Sequence, residues 1–381
     1  MSDLESVNNT GSHRSNAWIE LDRDVLCRNI AAMKAVLKPS TEIILVVKAN
    51  AYGHGLTGVA SKAFECGVRW FLVARLDEAV ALRAELPDAT ILLLGAVWTQ
   101  DISVILDRRI IPVIVCEDQA NDLAACARTA GVTVPCHVKI DTGMGRFGLP
   151  WEQAPEILKR LQRAGGFEIQ GISMHFSSAG KPGDAFVGVQ SERFQKVVAG
   201  CRERGLDGLF KHVANSAAFV GHPEWDMEGV RVGILAYGYG GRRINSRVHT
   251  QPFLQWKTRV LQVRKVPAGF PVGYLSTYVT PEATCLATID AGYSDGLSRL
   301  MSNKGYVLIG GRRAKVVGRV TMNFTTVDVG AEGRVRVGDE VVLIGTQGAE
   351  TLWADELARW CQTIPYEILT SIRSEPRAHS C

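Results

Sequence analysis

No apolar stretch in the 381-residue chain approaches the ~20 residues needed to cross a bilayer. No basic run interleaved with aromatics is present, and the net charge is only +4, so the electrostatic footprint of a nucleic-acid-binding protein is missing. Cys-x-x-Cys spacing is also missing. The nine cysteines (27, 66, 116, 126, 136, 201, 285, 361 and 381) are odd in number and scattered. They imply neither a metal site nor a disulfide framework, and read as free, core-filling thiols in a reducing cytoplasm. Residues 1–16 are polar and lack the apolar segment of a signal peptide, so they read as a frayed tail. There is no internal repeat and no low-complexity tract. What remains is ordinary globular composition, 46% apolar and 22% charged. The chain is too long for one ordinary core, which makes two domains the expectation.

Short apolar runs alternate with helical patterns over the first two thirds. Trp18-Ile19-Glu20-Leu21-Asp22 alternates as a half-buried strand, and Asp22 or Asp24 suits the cap of a helix through Asn29–Leu37. Buried-strand runs follow at Ile43–Val47, Trp70–Val73, Ile91–Leu94, Ile111–Val115, Cys136–Ile140, Ile169–Met174, Leu209–Val213 and Gly229–Val232. Helical spacing separates most of them. Eight such units predict an α/β fold with a (β/α)8 barrel over residues 17–243. A doubly wound sheet is the alternative, weakened because no Gly-x-Gly-x-x-Gly follows the first strand. After a linker at 244–252, short β pieces with glycine turns predict a mainly antiparallel domain over 244–381. In a barrel, Lys48, Arg146, His175, Asn215-Ser216 and Arg231 all fall at strand C-terminal ends, where active sites lie.

One stretch organises the chain: Val46-Val47-Lys48-Ala49-Asn50-Ala51-Tyr52-Gly53-His54-Gly55. The apolar run entering it places an amine at the mouth of a buried strand. Desolvation lowers such an amine's pKa, which suits Schiff-base chemistry with an aldehyde cofactor. Lys48 alone equally fits a lysine that snorkels into water. The ten residues together resemble the pyridoxal-phosphate (PLP) lysine motif of the alanine racemase family. The resemblance implies that Lys48 holds PLP covalently and that Tyr52 reaches its phosphate.

Further segments carry the same resemblance. Lys139-Ile140-Asp141-Thr142-Gly143-Met144-Gly145-Arg146 runs from a strand into a glycine-rich loop that permits close backbone approach to a ligand. By resemblance Arg146 holds the PLP phenolic oxygen or the substrate carboxylate, and Lys139 is a carbamylation site that braces it. His175, in Gly171-Ile172-Ser173-Met174-His175-Phe176, is implied to orient Arg231 and the catalytic tyrosine. Asn215 and Ser216 are implied phosphate contacts, as are the backbone groups of Gly233 and Ile234. Arg231, in Gly229-Val230-Arg231-Val232-Gly233-Ile234, is implied to face the pyridine nitrogen. An arginine keeps its proton at ordinary pH. The ring is then a weaker electron sink than one paired with an aspartate, which favours proton return at Cα over transamination.

Racemisation needs two acid/base groups on opposite faces of Cα. Lys48 serves one. By resemblance the other is Tyr274, supplied by the partner subunit of a homodimer. The resemblance further implies that Tyr293 and Arg299 line the substrate corridor, that the Met322 backbone holds the substrate carboxylate, and that Ser374 stands at a gate position near the cofactor. The sequence departs from the family pattern at Leu275, Asn323 and Gly180, where a glycine, an aspartate and an acidic residue are usual. The expected activity is therefore a PLP-dependent alanine racemase acting on a small amino acid and supplying D-alanine for peptidoglycan. A racemase of serine or a basic amino acid, a PLP decarboxylase and a non-catalytic PLP-binding protein are the alternatives.

Overall fold

The computed structural model describes residues 17–95, 97–181, 183–240, 246–374 and 376. The expected tail at 1–16, the first residues of the expected linker and Cys381 lie outside them. The chain divides into two compact units, one of Asp22–Phe253 and one of the residues up to Leu21 together with those from Leu254 onward. The sequence boundary at 243/244 thus moves to 253/254. The strand β1 (Trp18–Leu21), expected in the barrel, belongs to the other unit. It pairs antiparallel with β11 (Leu254–Val266), Trp18 opposite Lys257. The Lys257 ammonium reaches Glu20 at 2.8 Å and Glu340 at 3.2 Å, which fixes that pairing.

In the larger unit Asp22 caps α1 (Arg23–Lys34), its Oδ1 accepting from the Asp24 and Val25 N–H groups. This helix starts earlier and stops sooner than its apolar spacing suggests. All eight barrel strands form: β2 (Glu42–Val46), β3 (Trp70–Val73), β4 (Thr90–Leu93), β5 (Ile111–Ile114), β6 (Val134–Asp141), β8 (Phe167–Ser173), β9 (Phe210–His212) and β10 (Gly229–Val232). The two-residue β7 (Leu149–Pro150) leans on β6. The strands pair in parallel in the order β10-β2-β3-β4-β5-β6-β8-β9. The ring closes where Arg231 N–H donates to Ala214 C=O at 2.9 Å. Short β9 and β10 meet at the closure, so the barrel is sealed by few ladder bonds. Helices α2 (Lys48–Tyr52), α3 (Leu56–Glu65), α4 (Leu76–Glu85), α5 (Ile102–Asp107), α6 (Glu117–Thr129), α7 (Ala154–Ala164), α8 (Phe186–Glu203) and α9 (Ser216–Gly221) follow their strands.

The cysteine reading needs one correction. Cys27 on α1 and Cys66 at the end of α3 form a disulfide, with Cα atoms 5.8 Å apart. They lie 39 positions apart in the chain, a spacing that carries no disulfide signal. Six others are free thiols, four of them buried.

The smaller unit is an antiparallel sheet in the order β1-β11-β14-β17-β16-β15-β18-β19. Its later strands are β12 (Pro271–Val272), β13 (Tyr278–Val279), β14 (Thr284–Ile289), β15 (Tyr306–Ile309), β16 (Arg312–Val316), β17 (Thr325–Asp328), β18 (Glu340–Gln347) and β19 (Glu350–Leu352). β12 and β13 form a separate hairpin around residues 273–277. Two helices close the chain, α10 (Ala354–Cys361) and α11 (Pro365–Ser371).

Candidate active site

Lys48 leaves β2 at the C-terminal end of the barrel and enters an unusual turn. Ala49, Asn50, Ala51 and Tyr52 all have φ of 53°. For L-residues a left-handed turn costs roughly 1–2 kcal/mol per residue, so its neighbours have to hold it. Ala51 N–H donates to Val47 C=O at 2.8 Å, and Asn50 Oδ1 accepts from Leu56 N–H at 2.8 Å. Gly53 (φ 79°) and Gly55 (φ 90°) continue the positive φ without a Cβ penalty. Beneath the turn, His54 is fully buried, with Nδ1 2.9 Å from the Tyr52 carbonyl. Burial pushes this imidazole down to about 4, so it is neutral and donates from Nδ1. Its ring packs on Tyr237 (4.7 Å) and Phe253 (4.8 Å). Tyr237 also packs tilted against Tyr52, ring centroids 4.9 Å apart, and donates its hydroxyl to the Val46 carbonyl at 3.1 Å. Sequence reasoning singled out neither His54 nor Tyr237 for the site. His54 lies in the quoted Lys48 motif, between two glycines, whereas Tyr237 lies in no quoted motif. The Lys48 amine is lowered, first by burial and then by the Arg146 charge, with Glu78 opposing.

Arg231 points into the barrel from β10 and is 6% exposed. Its guanidinium donates to the Met174 carbonyl at 2.6 Å, to the Val213 carbonyl at 3.2 Å and to the His212 carbonyl. Nη1 lies 3.2 Å from His212 Nδ1, and Nη2 lies 3.4 Å from His175 Nδ1. Both imidazoles accept from a cation and so stay neutral. Burial, followed by Arg231, Lys139, Arg146 and Lys48, holds His175 down at about 2. Burial, His137 and Arg231 push His212 well below its ordinary value. His212 Nε2 then donates to His137 Nδ1 at 2.8 Å. Gly171 leaves room for this pair, since a Cβ there would stand 2.7 Å from the His137 ring. Burial brings Arg231 to about 10, which leaves it cationic at neutral pH. The His212–His137 support was not read from the sequence, because both residues lie inside strands that periodicity marks only as buried.

Ser216 begins α9, capped by Asn215, whose Oδ1 accepts from the Ala217 and Ala218 N–H groups. Ser216 Oγ accepts from Gly233 N–H at 2.9 Å. A Cβ on Gly233 would stand 2.4 Å from the Tyr52 hydroxyl. Tyr52, Ser216, Gly233 and the following Ile234 therefore converge in a small polar cradle that only glycine at 233 leaves open. The Arg146 loop is tied down by Asp141, whose Oδ1 accepts from Gly143 and Met144 N–H, each at 2.8 Å. Arg146 itself is exposed on the loop. Lys139 is 2% exposed, and burial, Arg231 and Arg146 lower its amine to about 7 against the pull of Asp141. All the expected barrel residues thus gather at the C-terminal ends of β2, β6, β8, β9 and β10.

The remaining expected residues lie in the smaller unit. Tyr274 is 71% exposed on a 3-10 turn, and Met322 is 56% exposed. The Met322 carbonyl accepts from Ser294 N–H at 2.9 Å, and the Thr321 carbonyl from Tyr293 N–H at 3.0 Å, so these loops are stitched together. Gly292 permits it, since a Cβ there would stand 2.3 Å from the Met322 carbonyl. Asn323 donates to Ser294 Oγ at 3.0 Å. Tyr293 lines a cavity of about 510 Å³ with Ser298, Glu367 and Arg373. Arg299, expected in the corridor, is exposed on the neighbouring turn. Ser374 is 9% exposed, and its hydroxyl accepts from Trp256 Nε1 at 3.0 Å inside its own unit. The adjacent Arg373, which the sequence reading passed over, is the one that faces the cavity.

Known proteins carry the same architecture. The family model described as alanine racemase, N-terminal domain, matches residues 21–240, and that described as alanine racemase, C-terminal domain, matches 253–379. An alanine racemase of Desulfosudis oleivorans is 39% identical over 376 residues, covering 96% of each chain. The alanine racemase structure from Streptomyces coelicolor A3(2) superposes with a TM-score of 0.89 at 32% identity, covering 96% of this chain and 98% of that one. The alanine racemase from Bartonella henselae, solved with covalently bound pyridoxal phosphate, gives 0.85 at 29% identity, covering 95% and 99%. With both family domains matched in order across both structural units, this chain belongs to the alanine racemase family.

Proposed function

We propose that this protein is an alanine racemase that interconverts L- and D-alanine with PLP as its cofactor. The carrying observation is the placement of a desolvated amine, Lys48, and a buried cationic guanidinium, Arg231, at one end of one barrel. The donor set fits PLP. Lys48 suits its aldehyde, Arg231 its pyridine nitrogen, and the cradle of Tyr52, Ser216, Gly233 and Ile234 its phosphate, with Asn215 shaping the start of α9. When bound, PLP withdraws electrons from the amino-acid Cα and makes its α-proton labile.

The residues of the chain do the rest. Lys48 would hold the cofactor covalently and move the proton on one face of Cα. Arg231 keeps its own proton, so it would leave the pyridine nitrogen unprotonated and the electron sink weak, which favours return of the proton at Cα. His175 and the His212–His137 pair keep the Arg231 guanidinium in place. Arg146 and the Met322 backbone hold the substrate carboxylate, and Tyr293 lines the approach. Tyr274 serves the opposite face. We assign that role to Tyr274 of a second copy in a homodimer with two shared sites. Support comes from its exposure and from that of three other apolar side chains of the same unit, Leu275 (82%), Met322 (56%) and Phe324 (47%). No described helix is long and apolar enough to cross a membrane. We place the enzyme in the cytoplasm and its product in peptidoglycan precursors.

Chiral chromatography of the protein with PLP, incubated separately with L-alanine, L-serine, L-lysine and L-arginine, is the test. D-alanine should form fastest, and activity should fall once dilution has produced monomer. A different leading D-product would change the substrate and keep the chemistry. No D-product with PLP bound would end the racemase reading.

A further inference from the structure

Tyr274 stands on a turn that does not hold itself. The 3-10 turn Tyr274–Ser276 contains two L-residues with left-handed backbone, Leu275 at φ 61° and Ser276 at φ 48°. Within the turn the closing bond is Ser276 N–H to Gly273 C=O at 3.2 Å. All three residues are exposed, so packing within the chain does not fix them. Backbone of this kind persists only where its surroundings over-determine it.

Asn303 supplies that determination. Its Nδ2 donates to the Thr277 carbonyl at 3.3 Å and to Thr277 Oγ1 at 3.2 Å, just past the turn. Its Oδ1 accepts from Gly318 N–H at 2.7 Å. Asn303 is itself left-handed, at φ 59°, a conformation asparagine tolerates better than most residues. Its neighbour Ser302 adds a parallel tie, with Oγ donating to the Arg299 carbonyl at 2.6 Å and accepting from Val320 N–H at 3.0 Å. The Tyr274 turn and the segment leading to Met322 therefore hang on one dipeptide. Gly318 lets them close up, since a Cβ there would stand 2.9 Å from the Val272 carbonyl.

We infer that Asn303 is a positioning residue for Tyr274, holding the phenol where it serves its face of Cα. This rests on the two-base reading above. A displacement of about 1 Å in a reacting group costs roughly a hundredfold in rate. The two bonds to Thr277 are exposed, whereas the bond from the buried Gly318 N–H is partly buried, so Asn303→Asp, which keeps that acceptor, is the variant that spares the fold. Glycine keeps the left-handed backbone at 303, removes the clamp and takes this acceptor away from the Gly318 N–H.

The test is solvent deuterium exchange of the α-proton, followed by NMR from each alanine enantiomer separately, on holoenzyme. Tyr274→Phe identifies the enantiomer whose proton the tyrosine handles. Asn303→Gly should slow exchange from that same enantiomer at least tenfold and leave the other within twofold. Asn303→Asp, which keeps the acceptor for Gly318 but loses the donors to Thr277, should show the same one-sided loss, with the melting temperature within a few degrees. Equal slowing of both enantiomers, or slowing of neither, overturns the role. Exchange from both enantiomers unaffected by Tyr274→Phe overturns the two-base reading and this inference with it.

Discussion

Lys139 is an amine with almost no access to solvent, set among cations. Burial and the nearby Arg231 and Arg146 bring it to about 7, so near neutrality a large share is unprotonated and nucleophilic. A buried cationic cluster is stabilised by an added anion. An attack of the neutral amine on carbon dioxide, with loss of one proton, makes a carbamate that supplies that anion beside Arg146. We expect 13C-bicarbonate to give a carbamate NMR signal in the folded protein that Lys139→Ala lacks. A spectrum identical in the two proteins would leave Lys139 a plain buried amine. The identity of Lys139 was legible in the sequence, but its environment was not. Arg231 lies far along the chain and meets it only because the barrel closes.

At the scale of the element, the left-handed turn after β2 and the cradle beside β10 depend on each other. The turn carries Tyr52 over Gly233, and the missing Cβ of Gly233 gives the Tyr52 hydroxyl its room. Gly233→Ala should force the turn outward. Overpacking of this sort typically costs about 1–3 kcal/mol. The expected outcome is a loss of PLP affinity of at least tenfold, read by fluorescence titration of apoenzyme, with the barrel still folded by circular dichroism. Unchanged affinity would mean that the turn gives way without consequence. The strand entering this turn was plain in the sequence as an unbroken apolar run. Its left-handed exit was not, since Ala49, Asn50 and Ala51 have no local reason to adopt positive φ. Tyr237, His54 and Phe253, packed beneath, supply the reason.

Over the whole molecule, several fully buried imidazoles must stay neutral for the barrel to fold. His54 and His137 are pushed down to about 4, and His212 lies well below its ordinary value, all chiefly by burial. An unfolded chain takes up protons on these groups below about pH 6.5, whereas the folded chain does not. Their neutral burial is therefore harmless above that pH, and stability is lost as pH falls from about 6.5 toward 4. Each group contributes a slope of up to about 1.4 kcal/mol per pH unit. The urea midpoint should drop clearly between pH 7 and pH 5, and His54→Gln should flatten part of that drop. A midpoint constant over this range would show that the buried histidines do not control acid stability.

By itself the sequence determined the eight barrel strands, the later β-rich region and the residues at the strand ends. Each of these is written in a local pattern: an apolar run, a glycine loop, or Lys48 at the mouth of a strand. Only the tertiary structure decided what those residues meet. It moved β1 to the other unit, because its partner β11 lies at the far end of the barrel in sequence. It joined Cys27 to Cys66 across two helices. It turned Ser374 onto Trp256 and left Arg373 facing the cavity. It also gave Arg231 its histidines and the Tyr274 turn its Asn303. The physical reason is common to all of these. A hydrogen bond or a ring contact between residues remote in the chain leaves no periodicity behind, and it exists only once the backbone has brought both partners to one place.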